Sequence, residues 1–268
     1  MDMSDSNTTH HFDVIIVGSG GAGLSLALSL PSHYNIAVLA KSSLTEASTF
    51  YAQGGVAAVL DETDSIQQHI DDTMIAGAHL CELDAVKQTV EGGRSSVDFL
   101  LNHGVEFTLD EEDQLHLTRE GGHSQRRIIH AADATGKAIS TTLVQRAKEQ
   151  KNLTIFENYI AIDVITLHKL GRKDQSNRAI GLYVLDEKTE KVHTFLAPFT
   201  ALACGGAMKA AAKAHRALAQ LQGGGRLDGG QARRRRALVQ RNVFFPKTGA
   251  AIGIGEQHDL AEGGHAGS

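Results

Sequence analysis

Two apolar runs near the start of the chain set its expected architecture. Phe12-Asp13-Val14-Ile15-Ile16-Val17 is short, β-branched and apolar at successive positions, which predicts a strand covered on both faces. It runs into Gly18-Ser19-Gly20-Gly21-Ala22-Gly23, then into a helix-like stretch from Leu24 to Leu30 closed by Pro31, then into a second strand over Ile36–Ala40. No charged side chain lies between Asp13 and His33, about the length of a membrane span. Four glycines and Ser19, Ser25 and Ser29 interrupt that stretch, so it reads as a buried strand followed by a buried helix. Further on, residues 154–167 and 179–185 predict strands with a turn at 171–177. Residues 192–203 predict another strand, delivering Cys204-Gly205-Gly206. The fold class is α/β, Rossmann-like with a mainly parallel sheet, and an insertion occupies about residues 60–150.

Placed between strand and helix, the GxGxxG at Gly18–Gly23 has the context of a dinucleotide fingerprint. Gly18 permits a tight turn, Gly20 lets backbone approach a diphosphate, and Gly23 lets the helix pack closely. The anion then rests on unsatisfied N–H groups at the positive end of a helix. Enzymes that grip a ribose usually place Asp or Glu at the end of the second strand, whereas this chain has Lys41 there. An NAD-type reading loses weight for that reason, and a lysine at that edge suits a phosphate-bearing or otherwise electron-rich ligand better. The following segment, Glu46 to Ala58, is polar, small and glycine-bearing, and offers hydroxyls, an amide and backbone N–H groups to a flat polar ring.

Charge separates the chain into unlike parts. Residues 1–207 hold 16 Lys+Arg against 27 Asp+Glu, and residues 208–268 hold 10 against 4. Residues 1–11 read as a flexible leader with no basic, apolar targeting pattern, so a cytoplasmic protein without a membrane anchor is expected. Cys81 and Cys204 stand alone, which excludes a disulfide framework and a Cys-rich zinc site. His116, His123 and His130 recur every seven residues, but Gly121 and Gly122 break any helix that would align the first two. No metal site is expected, and each ring reads as packed or hydrogen-bonded.

Several blocks together resemble the succinate dehydrogenase/fumarate reductase flavoprotein superfamily, and within it the L-aspartate oxidases. They are Gly18–Gly23, Leu39-Ala40-Lys41, Ser48-Thr49-Phe50-Tyr51-Ala52-Gln53-Gly54-Gly55, His116-Leu117-Thr118-Arg119-Glu120-Gly121-Gly122-His123-Ser124 and Arg126 to Gly136, with Ala203-Cys204-Gly205-Gly206. The resemblance covers about residues 12–207, read as an FAD-binding domain. It implies FAD as cofactor, L-aspartate as substrate, iminoaspartate as product, and oxygen or fumarate as electron acceptor. It also implies a place in quinolinate and NAD synthesis, with quinolinate synthase as a pathway partner. FAD would be held by Gly18, Ser19, Gly20, Gly21, Ala22, Gly23, Lys41 and the loop from Ser48 through Gly55. Glu120 would orient the substrate ammonium, since a carboxylate pairs with a cation and repels a dicarboxylate lacking the amine.

Relatives that bind FAD covalently carry a histidine where this chain has Ser48, so a non-covalent flavin is expected. Relatives usually have Thr where Cys204 stands, which removes a hydroxyl contact. After Ala207 the family pattern stops being recognisable, and the capping domain of relatives is not found. Residues 208–268 are expected to be a poorly ordered Gly/Ala/Arg-rich tail foreign to the family, with a helix-forming stretch at 208–221. Arg233–Arg236 lacks aromatic interleaving, so nucleic acid is not expected as a partner. Without a capping domain, little or no turnover is expected. The alternatives are a fumarate reductase or succinate dehydrogenase flavoprotein, and a non-catalytic FAD-binding fragment.

Overall fold

A computed structural model describes residues 8–131 and 134–205. Its strands are β1 (Thr9–His11), β2 (Val14–Val17), β3 (Ile36–Ala40), β4 (Val56–Ala57), β5 (Ile128–Ile129), β6 (Leu153–Glu157), β7 (Tyr159–Thr166), β8 (Ala179–Asp186), β9 (Lys191–Leu196) and β10 (Phe199–Leu202). Its helices are α1 (Gly21–Ser29), α2 (Ile66–Ala76), α3 (Leu83–Glu91), α4 (Gly93–Asn102) and α5 (Thr135–Glu149).

Alternation within the first two apolar runs decides the layering. A parallel sheet in the order β10-β2-β3-β6 forms the centre. Val14, Ile16, Ile36 and Val38 turn to one face, where Leu24 and Ala27 of α1, Val97 of α4 and Ile139 and Leu143 of α5 cover them. Ile15, Ala37 and Leu39 turn to the other face, against Leu182, Val184 and Phe195 of a second sheet ordered β1-β9-β8-β7. Both faces are therefore dry, which is why β2 and β3 read as unbroken apolar runs rather than alternating ones. Burying each large side chain of this core stabilises the fold by about 1.5–3 kcal/mol.

Among the described residues, no helix is long and apolar enough to cross a membrane. The glycine-interrupted stretch from 13 to 33 is instead β2, α1 and their turn. After β3 the chain leaves for α2, α3, α4 and a hairpin. It returns through α5, which packs on α1 and delivers β6 beside β3.

Three expectations need correction. The run at 154–167 is two strands, broken at Asn158 in the left-handed region (φ 65°), a conformation Asn tolerates better than most residues. β6 joins the parallel sheet, and β7 starts the antiparallel ladder with β8. The run at 192–203 likewise splits at Pro198, which has no N–H to offer a ladder, so β9 belongs to one layer and β10 to the other. Residues 9–11 are not a leader but a strand paired parallel to β9, Thr9 opposite Thr194 and His10 opposite Phe195. The His10 ring lies tilted over Phe195 at 4.6 Å between centroids. Only three residues long and polar, this strand has no periodic signature of its own. The expectations for 208–268, and for Gly206, lie outside the described residues.

Candidate functional site

The turn after β2 is built from missing side chains. Gly18 has φ +114°, and a Cβ there would sit 2.3 Å from the Ala203 carbonyl oxygen, just past β10. A Cβ on Gly23 would lie 1.9 Å from the Gly18 oxygen, so this glycine closes the turn on itself as much as it brings helix to sheet. Gly20 differs: its nearest neighbour would be Thr49 Oγ1 at 3.7 Å, which leaves room beside it. The Gly21 N–H donates to Thr49 Oγ1 at 3.0 Å. Ser19 is buried and Ala22 exposed. The first turn of α1 carries no acidic residue, so its positive end is left uncompensated for an anion.

Thr49 opens the polar loop, which lies between the N-termini of two helices. The Gly136 N–H at the start of α5 donates to the Ala52 carbonyl at 3.1 Å, and a Cβ on Gly136 would be 2.1 Å from the Thr49 oxygen. Gly136 is thus as necessary to the loop as the fingerprint glycines are to the turn, a role that sequence reasoning did not assign. The Lys137 ammonium stands 6.0 Å over the Phe50 ring, and Tyr51 donates to Glu46 at 3.0 Å. Ser48, Tyr51, Ala52, Gln53 and Gly54 are exposed, and nothing lies within 4 Å of where a Gly54 Cβ would be. Lys41 is exposed directly after β3, and neither it nor Gln53 has a side-chain partner among the described residues. Gly18, Lys41 and Ala203–Gly205 follow the carboxyl ends of β2, β3 and β10, the edge where open α/β sheets bind ligands. A helix start with no acidic residue in its first turn, room at Gly20 and an open glycine-bearing loop together fit an extended dinucleotide such as FAD.

Glu120 sits on a separate hairpin. Thr118 and Ile128 exchange backbone hydrogen bonds at 2.9 and 3.0 Å, and the chain turns between them. Ile128 and Ile129 pair in turn with Ala57 and Val56, directly after the polar loop. Glu120 Oε1 lies 3.1 Å from His130 Nε2, with nearly half of the glutamate side chain exposed. His130 Nε2 is also 3.1 Å from Thr118 Oγ1. His116 is exposed, and His123 faces His69 at 5.6 Å between ring centroids. Among the described residues, no three His, Cys, Asp or Glu side chains are grouped to hold a metal ion.

Under this hairpin lies a charge cluster that sequence reasoning missed. Arg127 is wholly buried and grips Asp64 with two bonds, Nε to Oδ2 and Nη2 to Oδ1, both 2.7 Å. Its Nη1 reaches Asp72 Oδ2 at 2.6 Å, which also accepts from the Ser124 N–H and hydroxyl. Burial opposes the charge of Asp72, but the Ser124 donors and Arg127 outweigh it and hold the carboxyl below the usual range. Burial likewise works against Arg127, and its hydrogen bonds to Asp64 and Asp72 more than restore its basicity. His69 is buried beside this group with Nδ1 unpartnered, and burial first, then Arg127 and His123, push its pKa down. The available signal was an arginine set directly before the buried Ile128-Ile129 pair, where a charge must find partners.

The family described as FAD binding domain matches residues 13–257, which reaches into the stretch read as foreign to the family. The L-aspartate oxidase of Acinetobacter baylyi is 88% identical over 208 residues, covering 78% of this chain and 38% of that protein. The L-aspartate oxidase of Pseudomonas aeruginosa is 51% identical over 207 residues, covering 75% and 38%. Among solved structures, an E. coli quinol fumarate reductase superposes with a TM-score of 0.68 at 28% identity, over 75% of this chain and 33% of that one. The chain thus spans well under half the length of these relatives.

Proposed function

Because the chain belongs to the family of FAD binding domains, we propose that it serves the FAD-dependent oxidation of L-aspartate to iminoaspartate. The observation that carries this reading is the setting of Glu120. It is a part-exposed carboxylate held by an imidazole rather than by either neighbouring arginine, on a hairpin paired to the end of the polar loop. Two L-aspartate oxidases of known sequence, one of them 88% identical, support it.

In this reading the turn from Gly18 through Gly23, with Ser19 and Ala22 as part of it, presents its remaining N–H groups to the diphosphate, those of Gly18 and Gly21 being held by Leu39 and Thr49. Lys41 adds positive charge at the end of β3. The loop of Ser48, Thr49, Phe50, Tyr51, Ala52, Gln53, Gly54 and Gly55 lies along the flavin. FAD, when bound, supplies the acceptor for a hydride from the substrate α-carbon and passes electrons to oxygen or fumarate. Glu120 attracts and orients the substrate ammonium, and its charge repels a dicarboxylate without the amine. Ser48 has no ring nitrogen to form a covalent link, so the flavin is exchangeable. The product would feed quinolinate and NAD synthesis in the cytoplasm, with quinolinate synthase as the next enzyme.

The test is the flavin absorbance of the FAD-loaded protein, titrated with L-aspartate and separately with succinate. A saturable shift of the flavin spectrum by L-aspartate alone is expected, with little bleaching, in keeping with the low turnover expected of this chain. A shift by succinate alone would replace this reading with a succinate- or fumarate-type ligand.

A further inference from the structure

We infer that His130 is a positioning residue for Glu120, linking the glycine end of the flavin loop to the group that receives the substrate ammonium. The inference rests on the reading of Glu120 given above and extends it to a residue for which the sequence suggested only a packed or hydrogen-bonded ring.

His130 Nε2 lies 3.1 Å from both Glu120 Oε1 and Thr118 Oγ1. The Thr118 hydroxyl is committed as a donor to the Ile128 carbonyl at 3.2 Å, so its oxygen faces the ring as an acceptor. A carboxylate is an acceptor as well. Two acceptors around one ring nitrogen require that nitrogen to carry the hydrogen, which assigns the Nε2–H tautomer and a forked donation to Glu120 and Thr118.

The ring is itself held. The His130 carbonyl accepts from the Thr108 N–H at 2.8 Å, and the chain just before it is locked in β5 against β4. On its other side His130 meets Gly55. A Cβ on Gly55 would fall 2.9 Å from His130 Cε1 and 2.5 Å from the Ile129 oxygen, so only glycine lets loop and ring approach this closely. One imidazole therefore touches both the last residue of the flavin loop and the carboxylate of the hairpin. Glu120 cannot drift without losing a contact fixed to the loop.

The choice of partner matters chemically. Arg119 precedes Glu120 and Arg126 lies across the turn, both exposed, yet neither forms an ion pair with it. A guanidinium there would cancel the carboxylate charge and compete with a substrate ammonium. An imidazole N–H fixes one oxygen through a single hydrogen bond and leaves Oε2 for the incoming cation.

Two measurements on the FAD-loaded chain decide the matter. Long-range proton–nitrogen NMR of histidine-labelled protein, with His130 assigned by its loss in His130→Gln, should show hydrogen on Nε2 and a shift of that resonance in Glu120→Gln. Hydrogen on Nδ1, or no response to Glu120→Gln, overturns the inference. In titrations followed by flavin absorbance, His130→Leu should weaken L-aspartate about fivefold, the worth of one ordinary hydrogen bond. Succinate and FAD affinities should hold, and His130→Gln, which keeps an N–H near the same place, should recover most of the loss. Equal weakening of both ligands, or no recovery with Gln, would make His130 a merely structural residue. If the unmodified chain shows no response to L-aspartate, the reading of the substrate fails, and the nitrogen measurement still decides whether His130 holds Glu120.

Discussion

The glycine turn at 18–23 and the hairpin at 118–128 grip one segment, residues 49–57, from opposite ends, and they do so by unlike means. At the turn Gly21 meets Thr49, and geometry comes from side chains that are absent. At the hairpin Val56 and Ala57 meet Ile129 and Ile128, and geometry comes from Arg127 locked between Asp64 and Asp72. A backbone-made site is preorganised by its own local sequence. A charge-made site depends on residues more than fifty positions apart, and losing one of them leaves another ion buried and unpaired. The turn should therefore lose ligand before it loses fold, and the hairpin fold before ligand.

The largest expected effect lies at the hairpin. Arg127→Met should cost about 3–5 kcal/mol of stability, because Asp64 is left buried without its partner. Chemical denaturation measures this, and a loss below about 1 kcal/mol would mean that the cluster is not a structural lock. Next, Gly23→Ala should cost about 1–3 kcal/mol by overpacking, since its Cβ collides with backbone rather than with a movable side chain. Both stability and FAD retention on gel filtration should fall, and unchanged stability would contradict the packing described. Thr49→Val removes the acceptor for the Gly21 N–H and should cost about 1 kcal/mol, as loss of a helix cap does.

A subtler effect depends on pH. His69 has its pKa lowered in the folded protein, so the unfolded chain binds more protons as pH falls below 6.5, and stability declines in that direction. Asp72, whose pKa is lowered too, contributes a further loss in stronger acid as pH falls through its folded pKa. The unfolding free energy from denaturation curves between pH 7 and 5 should fall by at most about 1.4 kcal/mol per pH unit from His69. The slope should flatten in His69→Leu, and an unchanged slope in that variant would assign it to other groups.

What was legible in the sequence follows the same division. The β2–turn–α1–β3 unit was readable because strand, glycines and helix are adjacent, and β3 occupies the residues expected of it, Ile36–Ala40. Glu120 could be suggested only through motif resemblance, since nothing local separates it from a surface acid beside Arg119. Arg127, Asp64 and Asp72 were not legible as a cluster, for their pairing is long-range and each acid looks solvated in its own segment. The second sheet was hidden for a related reason. Two of its strands adjoin strands of the first with little break in hydrophobicity, and there Asn158 and Pro198 mark where the chain changes layer.

The central claim is that bare amides at the turn clasp the diphosphate of FAD, and Gly20→Asp tests it most directly. Gly20 caps α1 with φ −76° and has room for a Cβ, so Asp fits there and is itself a favourable helix cap. Its carboxylate would stand where the diphosphate must rest. FAD titration of the chain, followed by flavin fluorescence alongside a denaturation curve, should show saturable binding in the unmodified protein and none in Gly20→Asp at undiminished stability. Equal FAD affinity in the two proteins would contradict the account.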